Sequence, residues 1–330
     1  MFIPESYGLA LLLMILCMIC WGSWANTYKL TKDVRFELFY WDYAVGIFVM
    51  ALILAFTLGS WRGGEEAFLA NLTQATGSRI ALAMLGGVVF NLANILLVAA
   101  IAISGLAVAF PIGIGTALVL GTVLTYLVQK TGNPVLLFAG VALAVVAIIA
   151  DALAYKALSG GKLQVTKKGI WICIISGVLM GAWSPFTAAS MAEGPGQLTP
   201  YTSTVFFTFA ALVSTFFFNI YFMQKPLAGE PVSFAGYLKG SPSWHALGLL
   251  GGFIWCLGTA FNLIAGRSAG FAISYAMGQS APMVAAIWGI FVWKEFAGAG
   301  GKSKMYLALM FVFYIGAIAV IANAYQTGGS

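Results

Sequence analysis

Charge is what this chain of 330 residues has least of. Asp, Glu, Lys and Arg together make up 8% of it and 61% is hydrophobic, where a soluble domain carries roughly a quarter charged residues. That scarcity excludes an ordinary water-soluble fold. Histidine occurs once, at His245, which excludes paired-histidine metal chemistry of the HExxH kind. Cysteine occurs four times, and Cys17, Cys20, Cys173 and Cys256 all fall inside apolar runs. The CxxC formed by Cys17 and Cys20 has no second His or Cys cluster at metal spacing, so all four read as small apolar helix residues. No metal and no cofactor are called for.

Long hydrophobic runs, by contrast, recur from one end to the other. About 20 predominantly apolar residues are needed for a helix to cross the hydrocarbon layer. Gly, Pro and charged breaks divide the chain into spans near 8–30, 39–60, 79–103, 105–128, 134–156, 169–192, 201–223, 244–266, 269–293 and 304–325. The expected class is therefore an all-α polytopic membrane protein of ten transmembrane helices, lodged in a cell or inner membrane with the lipid bilayer as solvent. The first run lacks a basic leader and holds Trp21, Trp24, Asn26 and Tyr28, so it reads as a permanent span rather than a signal peptide.

A net charge of +6 orients such a chain rather than marking it for nucleic acid. With ten spans, one side holds Lys29, Lys32, Arg35, Lys156, Lys162, Lys167, Lys168, Lys225, Lys239, Lys294, Lys302 and Lys304, and the other only Arg62, Arg79, Lys130 and Arg267. The basic side is expected to be cytoplasmic, which puts both termini on the non-cytoplasmic side. Asn71-Leu72-Thr73 fits a glycosylation sequon on that outer side.

The chain also repeats itself. A shift of 165 positions lays Leu85-Gly86-Gly87 on Leu250-Gly251-Gly252, Leu92 on Leu257, Gly105 on Gly270, Ala107 on Ala272, Gly113 on Gly278 and Val119 on Val284. A shift of 159 lays Gly22 and Trp24 on Gly181 and Trp183. The expected organisation is a first five-helix repeat over 1–156, a short cytoplasmic linker over 157–168 and a second over 169–330. Because five is odd, the second half enters the membrane inverted. Inverted halves around a central site suit alternating access, and so a carrier rather than a channel or an enzyme.

Trp24, Asp42-Tyr43, Gly86-Gly87-Val88-Val89, Asn94, Gly105-Leu106, Gly121-Thr122 and Tyr126 in the first half resemble the ureide permeases, within the drug/metabolite transporter superfamily. Ser184-Pro185, Gly266, Ala269-Gly270, Gln279, Pro282, Trp288-Gly289-Ile290 and Glu295 follow in the same order in the second half. The resemblance implies proton-driven uptake of small polar heterocycles such as allantoin and uracil. The entry Trp21-Gly22-Ser23 and the run Pro111-Ile112-Gly113-Ile114-Gly115 also resemble the bacterial glucose and ribose uptake transporters. Two departures stand out. The ureide permeases carry acidic residues in the fourth and ninth spans, where this chain has Phe110 and Tyr275, and a long loop with a nucleotide-binding-like motif, where this chain has only Gly160-Gly161-Lys162.

Substrate-binding candidates follow from residue type and depth. Trp21, Trp24 and Tyr28 share a helix face at i, i+3 and i+7, with Asn26 on another; they can wall a flat ring, and Trp183 supplies the repeat-related second wall. The plain alternative is helix packing and an interfacial aromatic belt. Asn91 and Asn94 in the third span, and Thr259 and Asn262 in the eighth, must each face a neighbouring helix or a wet cavity, because an unpaired amide in hydrocarbon costs several kcal/mol. Gln279, one turn from Tyr275 and followed by Ser280, offers both donor and acceptor to a neutral solute. Phe110 completes the set. Pro111, Pro185 and Pro282 bend their helices. Asp42, Asp151 and Glu295 lie toward the cytoplasmic ends of their spans, with Asp42 the coupling candidate and Lys29 its expected partner. His245 reads as an interfacial residue beside Trp244.

The expected function is a secondary active transporter for a small neutral polar metabolite, a ureide or nucleobase, taken up with H+ or Na+ as candidate coupling ion. Alternatives are uptake of a monosaccharide, ribose or nucleoside, or export of drugs or metabolites. Export of cations normally wants a central carboxylate, which is not evident.

Overall fold

Helices account for all the regular secondary structure in the residues described by this computed structural model, which are 1–32, 34–61, 63–160 and 166–327. Arg62 and the linker residues Gly161 and Lys162 lie outside them. Ten helices are long and apolar enough to cross a membrane: α1 Tyr7–Leu30, α2 Phe36–Ser60, α3 Gly77–Ser104, α4 Phe110–Val128, α5 Pro134–Leu158, α6 Lys167–Ser190, α7 Pro200–Gln224, α8 Pro242–Ala269, α9 Phe271–Val292 and α10 Gly301–Tyr325. They are the ten spans expected from the apolar runs, and the chain is an integral membrane protein.

Their ends are written locally. Pro134, Pro200 and Pro242 each stand in the first turn, where the missing N–H costs nothing, and each follows a capping residue. Asn133 accepts from the Val135 amide at 2.9 Å, Thr199 from Thr202 at 3.2 Å and Ser241 from Trp244 at 3.3 Å. Between α3 and α4, and again between α8 and α9, the chain reverses on one glycine. Gly105 has φ +72° and Gly270 φ +97°, a region open to glycine without steric cost.

Several spans are broken where their sequence cannot sustain a regular helix. α1 is interrupted at Trp24. Phe110–Ile114, around Pro111, and Trp288–Val292 are π-helical turns, and α9 breaks at Gln279-Ser280 just before Pro282. Such widened turns concentrate at functional sites in membrane and soluble helices alike.

The principal pairings are α3 with α6, α8 with α1, α2 with α8, α7 with α3, α4 with α6, α9 with α1, α2 with α7, α4 with α9 and α5 with α10. Exchanging each of the first five helices with the one five places later leaves this set unchanged. The closest approaches are at glycine. A Cβ on Gly87 would lie 2.0 Å from the Phe207 carbonyl oxygen, and one on Gly252 would lie 2.3 Å from that of Tyr43. Gly22 likewise meets Ala281 and Val284 of α9, and Gly181 meets Gly121 and Ala117 of α4.

Gly252→Ala is expected to destabilise the purified protein by about 1–3 kcal/mol or more through overpacking. Gly8→Ala, where a Cβ meets nothing within 4 Å, stays within about 0.5 kcal/mol of the parent. Thermal unfolding in detergent checks both.

Candidate functional site

Between α1, α3, α6 and α9 lies a cavity of about 310 Å³, at the small end of the roughly 300–1,000 Å³ of small-molecule sites. Its deep end is aromatic. Phe90 and Trp255 stack there with centroids 4.2 Å apart, and Trp183 meets Trp21 edge-on at 6.1 Å. All but Trp21 are almost completely buried. Tyr28, Val98, Ile101, Phe110 and Ile114, at the other end of the lining, are only half-buried. The mouth therefore faces the membrane side on which α1 runs into α2 and α3 into α4. Trp24, packed on Tyr43 at 4.7 Å, forms one wall. The Tyr28 hydroxyl donates to the Val34 carbonyl at 3.0 Å and so ties the rim to the turn.

Polar groups in the lining are few and uncharged. Asn94 and Gln279 supply carboxamides, and the indole N–H groups of Trp24, Trp183 and Trp255 donate to no described residue. No Asp, Glu, Lys, Arg or His lines the cavity among the described residues. Charge begins in an adjoining cavity of about 290 Å³ that shares Tyr28, Phe36 and Val98. There Arg35 holds Glu37 in a two-pronged pair at 2.6 and 3.1 Å.

Six of the ten expected binding residues come together here: Gln279, Asn94, Trp24, Trp183, Tyr28 and Phe110. The other four stand behind the walls. Tyr275 is fully buried under Trp183, and the one hydrogen of its hydroxyl is shared between the carbonyls of Ala117 at 3.1 Å and Met180 at 3.2 Å, tying α9 to α4 and α6. Thr259 accepts from the Trp21 indole at 3.2 Å and donates to the Trp255 carbonyl. Asn262 and Ser274 clasp each other's backbones at 2.7 Å across the α8–α9 turn. Asn91 is taken up by Tyr40, Ser214 and Thr215.

The expected partnership of Asp42 with Lys29 gives way to a different one. Asp42 accepts from the Tyr237 hydroxyl at 2.8 Å and meets His245 Nδ1 at 2.7 Å, because α2 packs on α8 and brings His245 alongside. His245, expected only as an interfacial residue, is thus a side-chain partner of Asp42. Burial, and secondarily the bond to Asp42, push the Tyr237 phenol up to about 12, so it remains a donor at neutral pH. Lys29 instead pairs with Glu295 and lies 4.5 Å over the Trp293 ring, because the end of α1 abuts the end of α9.

Phe90 and Trp255 escaped the sequence reading. Their signal was present, since the 165-position shift that joins the two Leu-Gly-Gly runs also lays Phe90 on Trp255. Gly266-Arg267-Ser268-Ala269-Gly270 spells GxSxG, but Ser268 ends a helix and donates to the Pro4 carbonyl at 3.2 Å. That is not the strand-to-helix elbow which exposes a nucleophile.

A family model described as ureide permease matches residues 39–164 and 159–324. Ureide permease 1 of Arabidopsis thaliana is 27% identical over 387 aligned positions, covering 97% of this chain and 98% of that protein. Ureide permease 2 of the same plant is 25% identical with the same coverage, and ureide permease 3 is 27% identical over 84% of this chain and 90% of its own length. A solved chain described only as the crystal structure of a protein aligns with TM-score 0.63 at 15% identity, over 98% of this chain and 100% of its own. That last likeness concerns the fold alone.

In a background with Cys17, Cys20, Cys173 and Cys256 replaced, a cysteine at Ile101 is expected to react with a membrane-impermeant thiol reagent from one side only, the side bearing Lys29. A cysteine at the buried Ala188 stays unlabelled from both. Labelling of Ile101→Cys from the opposite side contradicts the placement of the mouth.

Proposed function

This chain belongs to the ureide permease family and is a membrane transporter, and from that premise we propose that it carries a small neutral cyclic ureide or nucleobase into the cell by alternating access. The observation that carries the reading is the cavity itself, with aromatic walls, two carboxamides, free indole donors and no charge. A flat heterocycle stacks on such walls and meets donors and acceptors at its edge. An ion would enter at a large desolvation cost with nothing to pair it. That weighs against export of cations. Monosaccharides remain an experimental arm, though the five polar side chains left once Trp21 and Tyr28 are bonded elsewhere are few for a ring of hydroxyls.

In this reading Gln279 and Asn94 bind the solute edge, Trp24 and Trp183 stack on its faces, and Tyr28 and Phe110 guard the mouth. Tyr275, Thr259, Asn91 and Asn262 support the walls. The two five-helix halves exchange shapes about the cavity as inverted repeats. Support comes from the unchanged pairing set under exchange of the halves and from the matched turns at Gly105 and Gly270. The basic side is the cytoplasm, both termini lie outside, and the cavity is caught open inward. Membership of the broader drug/metabolite transporter superfamily fits the ten-helix plan. Asp42, linked to His245 and Tyr237 away from the cavity, is the proposed proton carrier, with Na+ the other candidate ion.

Uptake of labelled allantoin, uracil, ribose and glucose into proteoliposomes tests the proposal. Allantoin or uracil is expected to enter in a protein-dependent manner, faster under an inward proton gradient in the parent but not in Asp42→Asn. Gln279→Ala is expected to weaken affinity by about two- to tenfold, the worth of one hydrogen bond. Flux of none of the four, in the presence of folded protein, sinks the carrier reading. A sodium-dependent flux that ignores the proton gradient reassigns the coupling.

A further inference from the structure

Tyr40 does not line the cavity. It is 1% exposed, yet its hydroxyl touches both asparagines of α3. The direction of that network is fixed from its far end. Ser214 in α7 donates its hydrogen to the Ala211 carbonyl at 3.1 Å, as serine does inside helices. Its oxygen therefore accepts, and it does so from Asn91 Nδ2 at 2.8 Å. Asn91 Oδ1 then lies on the other side, where it accepts from the Tyr40 hydroxyl at 2.7 Å. With its only hydrogen so committed, the Tyr40 oxygen can only accept, and it faces Asn94 Nδ2 at 3.4 Å.

The Tyr40 oxygen thus holds the nitrogen end of the Asn94 carboxamide. Its oxygen is left for the cavity that Asn94 lines.

We infer that Tyr40 is a positioning residue that sets the polarity of Asn94, so that the cavity presents an acceptor there and selects solutes carrying a ring N–H beside carbonyl groups. This rests on the carrier reading above and names the chemistry its site prefers. The unpaired indole N–H groups of Trp24, Trp183 and Trp255 complement the carbonyls, and the Asn94 oxygen complements the N–H. A solute whose nitrogens are capped leaves that oxygen buried and unpaired. A site built to hydrogen-bond a group rejects the analogue that lacks it far more strongly than a merely apolar pocket would.

The test compares binding of hydantoin with that of 1,3-dimethylhydantoin, which has the same ring and no N–H, to the purified full chain. The parent is expected to bind hydantoin at least tenfold more tightly. Tyr40→Phe, which removes the acceptor facing Asn94, is expected to shrink that ratio below threefold. Ser214→Ala, which leaves only the longer Thr215 bond at 3.3 Å to keep Asn91 from turning over, acts in the same direction and decides the matter should Tyr40→Phe fail to fold. A purely structural role for Tyr40 would weaken both ligands alike, so a ratio unchanged from the parent in a folded variant overturns the inference. Equal binding of the two ligands by the parent overturns it while leaving the carrier reading intact. Binding of neither overturns both.

Discussion

At Gly87 and Gly252 a helix backbone comes so close to its neighbour that a methyl group would strike a carbonyl oxygen, and the geometry of the interior follows from those two contacts. They set the separation of α3 from α7 and of α8 from α2. Nearly one turn further along the same helices, Phe90 and Trp255 are thereby brought face to face at 4.2 Å. One more turn leads to Asn94, on the cavity, and to Thr259, which steadies Trp21. In hydrocarbon there is no strong hydrophobic force between helices, and close backbone packing at small residues supplies much of the attraction. The same packing that holds the bundle together therefore places the aromatic floor.

Charge is kept away from that floor. Lys29 with Glu295, Arg35 with Glu37 and Asp42 with His245 are all paired, and none of them lines the central cavity. A pocket with few but free donors and acceptors can exchange hydrogen bonds with a neutral solute for those it makes in water, at small net cost. For an ion the balance fails. The preference for a neutral solute that we propose thus rests on the uncharged lining itself, before any particular hydrogen bond is considered. The π-helical turns at Phe110–Ile114 and Trp288–Val292 occupy α4 and α9, helices that touch the cavity and each other, where a change of helical pitch would alter its width.

The ten helices were legible because hydrocarbon admits no other backbone arrangement for such runs, and the Pro, Asn, Thr and Ser that start α5, α7 and α8 carry their own local signal. The aromatic walls were legible through the 159-position shift that lays Trp24 on Trp183. What the sequence could not separate was Asn91 from Asn94. They are three residues apart on one face, yet Asn91 is consumed by Tyr40, Ser214 and Thr215 while Asn94 reaches the cavity. The difference is made by partners 51 to 124 positions away. Asp42 illustrates the same limit, because its partner His245 is 203 positions distant and a nearer lysine looked equally suitable. Pair contacts between distant spans depend on which helices pack, and that is settled by shape rather than by local pattern.

The central claim is that a neutral ring sits between the indoles and within reach of both carboxamides. A structure of the protein determined at saturating allantoin or uracil tests it most directly. The account predicts density for the ring between Trp24 and Trp183, with its edge at hydrogen-bonding distance from Asn94 and Gln279. A ring bound elsewhere, or a cavity still filled only by water at a ligand concentration that supports transport, would contradict it.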